Sequence, residues 1–302
     1  MADAERIAII GLGLIGGSLA LAMRRARPTV RITGVDLDAG ACEQAIAEKA
    51  IDTGSSFDDA ELGGCDLVVL ATPARELLAL LPRVAARMKP GAVLTDVCGA
   101  KESICAAGAQ QQRVVFVGGH PMAGNEYRGF IAANPALFSG ATVALCPPVG
   151  RGDAPARKSA SQLIRALWLD AGAAKILDIA PDEHDRAVTF ASHLPYLAAA
   201  SVVDALSGAG DAVELARELA AGGFRDTTRL AGDGTVGGAA SLNRFVPAAA
   251  RALGDRLREV ADALERDPAA ALARLEQLAD ERRRMRMPAA VMAAAPPPQR
   301  YR

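Results

Sequence analysis

The sequence predicts an α/β fold with a parallel, doubly wound sheet in its first part and an all-α region after it. Short apolar runs typical of buried strands alternate with helix-like stretches as far as residues 174–178. This alternation favours a parallel sheet with helices packed on both faces. From Pro181 onward, residues that favour helices dominate. We therefore predict one domain over residues 1–180 and a helical domain over residues 181–287.

The first strand and helix are joined by a glycine-rich turn. The apolar run Ile7–Ile10 leads directly into Gly11-x-Gly13-x-x-Gly16, and residues 18–24 are helix-like. A strand before this turn and a helix after it are typical of a Rossmann-type dinucleotide-binding unit. In such a unit, Gly11 allows the tight turn, Gly13 lets the pyrophosphate approach, and Gly16 lets helix and strand pack closely. The pyrophosphate would lie at the positive N-terminus of the helix.

The next strand indicates which dinucleotide binds. The apolar run 30–35 ends at Asp36, 20 residues beyond Gly16, where a carboxylate accepts a hydrogen bond from the adenosine ribose. The same carboxylate would repel a 2′-phosphate, and the three residues after it include no Arg or Lys. The sequence therefore favours NAD over NADP.

The buried strand 65–71 stops at Thr72-Pro73, because proline cannot continue a strand ladder. Its carboxyl end should face the cofactor, as the strand ends of open parallel sheets do. The predicted cofactor contacts are Gly11, Leu12, Gly13, Leu14, Ile15, Gly16, Asp36, Ala71, Thr72 and Pro73.

The remaining elements are predicted from the same periodicities. We predict helices over 39–50, 76–88, 161–169, 182–208, 211–221 and about 243–285, strands over 92–96, 114–117, 141–146 and 174–178, a loop over 52–64 and a surface connection over 150–160. The tail from Pro288 contains Ala runs and three consecutive prolines. We expect residues 288–302 to be disordered.

Charge and cysteine content exclude several classes of protein. The chain of 302 residues has 34 Lys and Arg against 35 Asp and Glu. The resulting net charge of −1 gives no electrostatic indication of nucleic acid or an anionic membrane as a partner. The first apolar run reaches a glycine turn too early for a signal peptide or a membrane span.

Five widely spaced cysteines without a C-x-x-C pair indicate free thiols in a reducing compartment, so we expect a cytoplasmic protein. No His/Cys cluster has zinc-like spacing, so we expect no metal site.

His120 is the candidate general base. It follows Gly118-Gly119 directly after an apolar strand, so its imidazole should emerge at the ligand edge of the sheet. An imidazole beside a nicotinamide can accept a hydroxyl proton while hydride leaves the carbon that carries the hydroxyl. For His184, which lies among charged residues, a packing role is favoured over a functional one. His193 precedes Leu194-Pro195 and could point at the crevice from a kinked helix, with core packing as the alternative.

A second concentration of polar residues, 222–229, lies between two predicted helices. Arg225 and Arg229 are four residues apart and would share a face if this stretch is helical. Paired arginines can bind carboxylates bidentately. A surface ion pair between Arg225 and Asp226 is the alternative and would contribute little. Both interpretations stay open.

Together these motifs resemble the prephenate/arogenate dehydrogenases of tyrosine biosynthesis. The resemblance rests on Gly11–Gly17, Thr95-Asp-Val97 with Lys101, Gly119–Gly124 with Glu126, Leu137-Phe138, Ser192–Pro195 and Gly223–Ala231, in this order. It implies an NAD-dependent oxidative decarboxylation of prephenate to 4-hydroxyphenylpyruvate, or of arogenate to tyrosine. It also implies that His120 accepts the 4-hydroxyl proton, that Arg229 binds a substrate carboxylate, and that the C-terminal helices form a homodimer. His120 must then be neutral, which burial would favour.

The chain departs from the family pattern at three places. Gly99 stands where the family often has a Ser that contacts the substrate hydroxyl, and Tyr196 stands where a second His is common. Residues 232–238 are rich in glycine, and we expect a flexible loop where the family has an ordered segment. The predicted substrate contacts are Gly99, His193, Tyr196, Arg225 and Arg229.

Two other functions are compatible with a nucleotide site. Another β-hydroxyacid-type NAD dehydrogenase would be expected to use a Lys in the helical domain as its base, but residues 181–230 contain no Lys. A non-catalytic NAD sensor would need neither His120 nor Arg229. The sequence therefore favours the prephenate or arogenate dehydrogenase.

Overall fold

The computed structural model describes residues 4–148 and 153–285. Eight strands in these ranges form one sheet, in the order β3-β2-β1-β4-β5-β6-β7-β8. The strands are β1 (Arg6–Ile10), β2 (Arg31–Val35), β3 (Thr53–Ser55), β4 (Leu67–Leu70), β5 (Val93–Asp96), β6 (Val115–Pro121), β7 (Thr142–Cys146) and β8 (Lys175–Asp178). Neighbouring strands are parallel except β6 and β7, which are antiparallel. The predicted α/β fold is confirmed, with a mixed sheet that is mostly parallel.

Helices cover both faces of this sheet because side chains of a strand alternate between the two faces. In β1, Ile7 and Ile9 belong to a core that includes residues of the helices α1 and α5. Ala8 and Ile10 belong to a second core with residues of α3 and α4. The helices of this region are α1 (Leu14–Ala26), α2 (Ala39–Ala47), α3 (Ala74–Arg87), α4 (Glu102–Ala109) and α5 (Ala154–Asp170).

The region after β8 is helical, as predicted. It contains α6 (Pro181–Val188), a π-helical turn (Thr189–His193), α7 (Leu194–Ser207), α8 (Ala212–Leu219), α9 (Gly222–Thr228), a 3₁₀ turn (Arg229–Gly232), α10 (Gly234–Leu242), α11 (Val246–Arg266) and α12 (Pro268–Arg284). By their internal contacts, the residues group into one unit that ends at Val246 and a second that begins at Pro247. The boundary that we propose near residue 180 lies within the first unit, at the start of α6. In the described ranges, no helix is long and apolar enough to span a membrane.

The direction of β7 differs from the prediction of a wholly parallel sheet. Parallel neighbours are usually joined by a crossover helix that returns the chain to the start of the next strand. Between β6 and β7 the chain forms only a short 3₁₀ turn, Phe130–Ala132, and β7 returns antiparallel to β6. The apolar pattern of β7 does not encode its direction, so only the connection could have revealed it.

Several predicted boundaries were wrong for identifiable reasons. The predicted loop 52–64 contains β3, whose Thr-Gly-Ser sequence has no apolar run and pairs only with β2. The predicted surface connection 150–160 is helical from Ala154, because the Asp153 side chain caps the backbone N–H of Ala156 at 2.8 Å. The predicted helix 243–285 is two helices, separated at Asp267, whose side chain caps α12 at the N–H of Ala270. The tail 288–302 lies outside the described residues.

The glycine-rich segment 232–238 is not the loop that we predicted. Asp233 accepts hydrogen bonds from the backbone N–H and the hydroxyl of Thr235, at 3.0 and 2.7 Å, and thereby caps α10. A Cβ at Gly237 would lie 3.0 Å from the Tyr196 hydroxyl oxygen. Glycine at this position therefore permits close packing between α10 and α7, which offsets its low helix propensity.

Candidate active site

The glycine turn has the geometry of a nucleotide-binding turn. Gly11 has φ of +98°, in the left-handed region that favours glycine, and a Cβ there would lie 2.6 Å from the carbonyl oxygen of Ala71. A Cβ at Gly16 would lie 1.9 Å from the carbonyl oxygen of Gly11. By contrast, a Cβ at Gly13 would meet no atom within 4 Å. Gly13 therefore faces open space at the N-terminus of α1, where the backbone N–H groups suit a phosphate.

Asp36 and two hydroxyls lie at the carboxyl ends of strands near this turn. Asp36 follows β2, and its carboxylate accepts from the N–H of Leu12 at 2.6 Å and of Asp38 at 2.9 Å. These bonds orient the carboxylate and leave it further lone pairs. The hydroxyls of Ser55, at the end of β3, and Thr72, after β4, are buried without a hydrogen-bond partner among the described residues. Because such groups are costly unless satisfied, the residues present fit a polar dinucleotide along this edge.

Strand β6 carries His120 beyond the end of its neighbour. It pairs with β5 only as far as Val117, opposite Thr95, whereas Gly118–Pro121 pair with β7. His120, opposite Ala144, therefore projects at the carboxyl edge of the parallel strands and is half-buried. The sequence prediction for the place of this imidazole agrees with the structure.

A buried ion pair holds the backbone next to His120. Asp96 and Lys101 have no exposed side-chain surface and form a salt bridge. Asp96 also accepts from the N–H of Gly119 at 3.1 Å, and Lys101 donates to the carbonyl of Gly119 at 2.8 Å. Burial lowers the pKa of Lys101, but the neighbouring Asp96 carboxylate outweighs it and the net shift is upward. Removing either partner would leave an uncompensated buried charge, at a cost of about 3–5 kcal/mol.

His120 is hydrogen-bonded to a second histidine, which is bonded to a carboxylate. The Nδ1 of His120 lies 2.9 Å from the Nε2 of His184, and the Nδ1 of His184 lies 2.8 Å from the Oδ1 of Asp185. His184 and Asp185 are buried. Burial lowers the pKa of His120 well below its ordinary value, and the neighbouring His184 and Lys101 lower it further. A neutral imidazole is the form that can accept a proton.

The other ring nitrogen of His120, Nε2, faces Gly99. A Cβ at Gly99 would lie 3.5 Å from His120 Nε2 and 3.2 Å from the Cβ of Ala239. Among the described residues, the ring of His120 is hydrogen-bonded through Nδ1, and no hydrogen bond involves Nε2. The Nε2 atom is therefore the one that a reactant can approach.

His193 occupies the buried position that the packing alternative describes. It is 1% exposed, and Asn243 Nδ2 lies 3.1 Å from its Nδ1. Burial lowers the pKa of His193 to about 4. The same Asn243 amide donates to the carbonyl of Asp185 at 2.7 Å, so His193 and His184 share one network.

The two arginines make separate ion pairs. Arg225 lies 3.0 Å from the neighbouring Asp226, and its side chain is 76% exposed, as the surface alternative describes. Arg229 lies 3.3 Å from Glu126, which is 103 residues away in sequence and follows the strand that carries His120. Of the two arginines, Arg229 is the one that contacts a residue just after β6, the strand that carries His120.

Sequence reasoning missed the roles of His184, Asp185 and Asn243 in this network. His184 and Asp185 are adjacent in a polar stretch, and the pairing of a histidine with an acidic residue was the only local signal. Their partners, Lys101 and His120, are 84 and 64 residues away. In the described ranges, no group of three or more His, Cys, Asp or Glu is placed to hold a metal ion.

Comparison with known proteins identifies similar sequences and folds. A family model described as the nucleotide-binding domain of prephenate dehydrogenase matches residues 19–177, and one described as its dimerization domain matches residues 180–235. Prephenate dehydrogenase of Bacillus subtilis (strain 168) is 34% identical over 233 residues, which are 75% of this chain and 60% of that protein. The chain spans about 60% of the length of the first curated relatives that it matches.

Two solved structures extend this similarity to nearly the whole chain. Synechocystis arogenate dehydrogenase is 30% identical, with a TM-score of 0.72, covering 92% of this chain and 98% of that one. Prephenate dehydrogenase from A. aeolicus, solved in complex with hydroxyphenyl propionate and NAD+, is 26% identical with a TM-score of 0.81 and covers 93% of this chain and 98% of that one.

Proposed function

The chain belongs to the prephenate dehydrogenase family, and on this premise we propose that it catalyses the NAD-dependent oxidative decarboxylation of prephenate to 4-hydroxyphenylpyruvate. The observation that carries the proposal is the position of His120. A neutral imidazole, with Nε2 uncommitted, stands at the carboxyl edge of a sheet whose first turn has the geometry of a dinucleotide site.

His120 acts as the general base in this proposal. NAD, when bound, supplies the acceptor for the hydride that leaves C4 of the substrate. The 4-hydroxyl proton passes to His120 Nε2, and the ring carboxylate leaves as carbon dioxide as the ring becomes aromatic. The proton then returns from His120 to the 4-oxygen, which gives the phenol of the product. Gly99 leaves space beside this nitrogen, so the base can approach the hydroxyl without a protein hydroxyl between them.

Arg229 binds a substrate carboxylate in this proposal. Its guanidinium is half-exposed and paired with Glu126 across 3.3 Å. A substrate carboxylate can replace Glu126 on the guanidinium, because an arginine can bind a carboxylate through two parallel hydrogen bonds. Tyr196, whose hydroxyl packs near α10, is the remaining candidate for a contact with the substrate side chain. His193 is buried against Asn243, and Arg225 is paired at the surface.

Arogenate is the alternative substrate. It differs from prephenate in carrying an amino acid side chain in place of a keto acid, and the reacting carbon is the same. The similarity to Synechocystis arogenate dehydrogenase favours keeping this candidate. The product would then be tyrosine.

We also propose that the chain forms a homodimer through its C-terminal helices and acts in the cytoplasm. Apolar side chains of these helices are exposed, among them Leu219 (73%), Leu257 (63%) and Leu272 (57%). Exposed apolar groups of this kind favour a protein–protein interface. All five cysteines are free thiols, which suits a reducing compartment. Light scattering of the purified chain tests the dimer.

One assay tests the proposed activity. The purified protein is mixed with NAD and either prephenate or arogenate, and NADH absorbance is followed. We expect NADH formation with carbon dioxide release. Absence of turnover with both substrates, from protein that binds NAD, would reject the dehydrogenase and favour a non-catalytic sensor.

A further inference from the structure

We propose that Asp185 and His184 form a relay that fixes which nitrogen of His120 is the base and then receives its proton. His184 is a positioning residue in this scheme, because it acts on the substrate only through His120. The inference rests on the proposed function of His120 and deepens it. It is carried by two hydrogen bonds that link His120 to a buried carboxylate across 2.9 and 2.8 Å.

The relay begins at Asp185. Burial raises the pKa of this carboxyl, but hydrogen bonds from His184 and from the backbone N–H groups of Glu102 and Lys101 outweigh burial and lower it. Oδ1 accepts from the N–H of Lys101 at 2.7 Å, and Oδ2 accepts from the N–H of Glu102 at 3.0 Å. An ionised carboxylate can only accept hydrogen bonds. The Nδ1 of His184, at 2.8 Å from Oδ1, must therefore carry a hydrogen.

The tautomer of His184 then dictates that of His120. In neutral His184, a hydrogen on Nδ1 leaves Nε2 with a lone pair that accepts from His120. The Nδ1 of His120, 2.9 Å away, must donate this hydrogen. The lone pair of His120 consequently lies on Nε2, the nitrogen beside Gly99. In other histidine sites too, the hydrogen bond made by one ring nitrogen fixes which of the two nitrogens carries the hydrogen.

The same contacts give the accepted proton a temporary place on the histidine pair, until the 4-oxygen of the aromatic product takes it back. When Nε2 of His120 takes the hydroxyl proton, the substrate O–H bond breaks and an N–H bond forms. The Nδ1 hydrogen of His120 can then pass to Nε2 of His184, so the positive charge moves from His120 to His184. On His120 the charge would face the ammonium of Lys101, and on His184 it faces the carboxylate of Asp185.

The groups that face His120 favour this displacement of charge. Asp96 lies at the end of β5, and Lys101 lies just before α4. The others are His184 and Asp185 from α6 and His193 from the π-helical turn. Lys101 and Asp96 compensate each other as a salt bridge. Asp185 is then the carboxylate left to compensate a proton on the histidine pair.

His193 provides an internal reference. The Oδ1 of Asn243 accepts from the N–H of Phe245 at 3.0 Å, so the amide nitrogen of Asn243 faces the histidine. That nitrogen can only donate, and it lies 3.1 Å from Nδ1 of His193. His193 should therefore carry its hydrogen on Nε2, opposite to His120 and His184.

Imidazole ¹⁵N spectra of the full-length protein test the tautomers directly. The chain contains only three histidines, and the variants His120→Asn, His184→Gln and His193→Gln assign them. Near neutral pH we expect Nδ1–H for His120 and His184, and Nε2–H for His193. An Nε2–H tautomer of His120 would overturn the relay, and this readout does not depend on substrate turnover.

Kinetics of two His184 variants test the function of the relay. His184→Leu removes the acceptor for His120, and we expect kcat to fall about 10²-fold or more, in the range of a lost base. His184→Gln offers an oxygen acceptor but cannot take a proton. We expect it to recover part of kcat, with the acid limb of the pH profile displaced to lower pH because the charge stays on His120.

Controls separate the relay from a structural role. We expect KM, NAD affinity and the unfolding temperature of His184→Gln to stay near those of the native protein. Glu183→Gln removes an exposed carboxylate from the same helix and should leave kcat unchanged. Equal losses of kcat in the Gln and Leu variants, with an unshifted pH profile, would overturn the proposal. Failure of the native protein with both substrates would instead reject the proposed function.

Discussion

His120 and Arg229 lie in surroundings that differ in burial and in hydrogen bonding. Behind His120, His184 and Asp185 are 2% and 0% exposed, and each polar atom of the chain from Nδ1 of His120 to Asp185 has a partner within 3.0 Å. Arg229 is 49% exposed and is paired with Glu126 at 3.3 Å. The base therefore needs no rearrangement to act, because its supporting hydrogen bonds already exist.

The guanidinium of Arg229 must exchange the carboxylate of Glu126 for that of the substrate. Glu126 occupies the guanidinium that we assign to the substrate, so binding gains only the difference between two ion pairs. Exposed pairs of this kind contribute little, which makes the exchange easy. We infer that His120 and its hydrogen-bond partners determine the rate of the chemical step, whereas Arg229 determines the affinity for the substrate.

The largest effect is expected at the base. His120→Asn removes the proton acceptor, and turnover should fall by about 10²–10⁴-fold, the range for a lost general base. NAD affinity, measured by titration, should not change, since this substitution leaves the glycine turn intact. Unchanged turnover would remove His120 from the mechanism, and it would also remove the proposed difference between the roles of His120 and Arg229.

A smaller effect is expected at the arginine end. Arg229→Ala loses a charge-assisted hydrogen bond to the substrate worth about 1.5–3 kcal/mol, less the weak exposed pair with Glu126 that binding displaces. We therefore expect kcat/KM to fall about 10- to 30-fold, mainly through KM. Arg225→Ala is the matched comparison, because Arg225 pairs with Asp226 at the surface. Its loss should change kcat/KM less than about threefold. Equal losses in the two variants would show that the arginines act as a pair.

The ribose carboxylate should affect cofactor choice by about one order of magnitude. Asp36→Ala removes an acceptor for the ribose hydroxyl and a charge that repels a 2′-phosphate. The ratio of kcat/KM for NAD over NADP should therefore fall about tenfold, the equivalent of 1.4 kcal/mol. Asp38→Ala, two residues further on, tests for a general effect of negative charge. A ratio that stays constant in Asp36→Ala would reject the ribose assignment.

The smallest effect is expected from mild acidification. A base acts when deprotonated, so the lowered pKa of His120 moves the loss of activity to lower pH. An imidazole with an ordinary pKa of about 6.5 would lose about fourfold in its basic form between pH 7.5 and 6. We expect kcat/KM to change less than about twofold over this range. A fourfold loss would mean that burial does not lower the pKa of the base.

The local patterns of the sequence were enough for the parts of this site that depend on neighbouring residues. The strand, glycine turn and helix from Ile7 to Arg24 were predicted correctly, and so was the place of His120 at a strand end. Such features depend on side-chain periodicity and on turn conformations that only a few residue types adopt.

Only the tertiary structure decided which distant groups meet. It placed His184 against His120 across 64 residues of sequence, paired Arg229 with Glu126 across 103, turned β7 antiparallel and made a helix of a glycine-rich segment. Hydrogen-bond partners of this kind depend on how strand ends and helix starts converge after folding. A polar residue read in isolation carries the capacity to donate or accept, and the packed chain selects its partner.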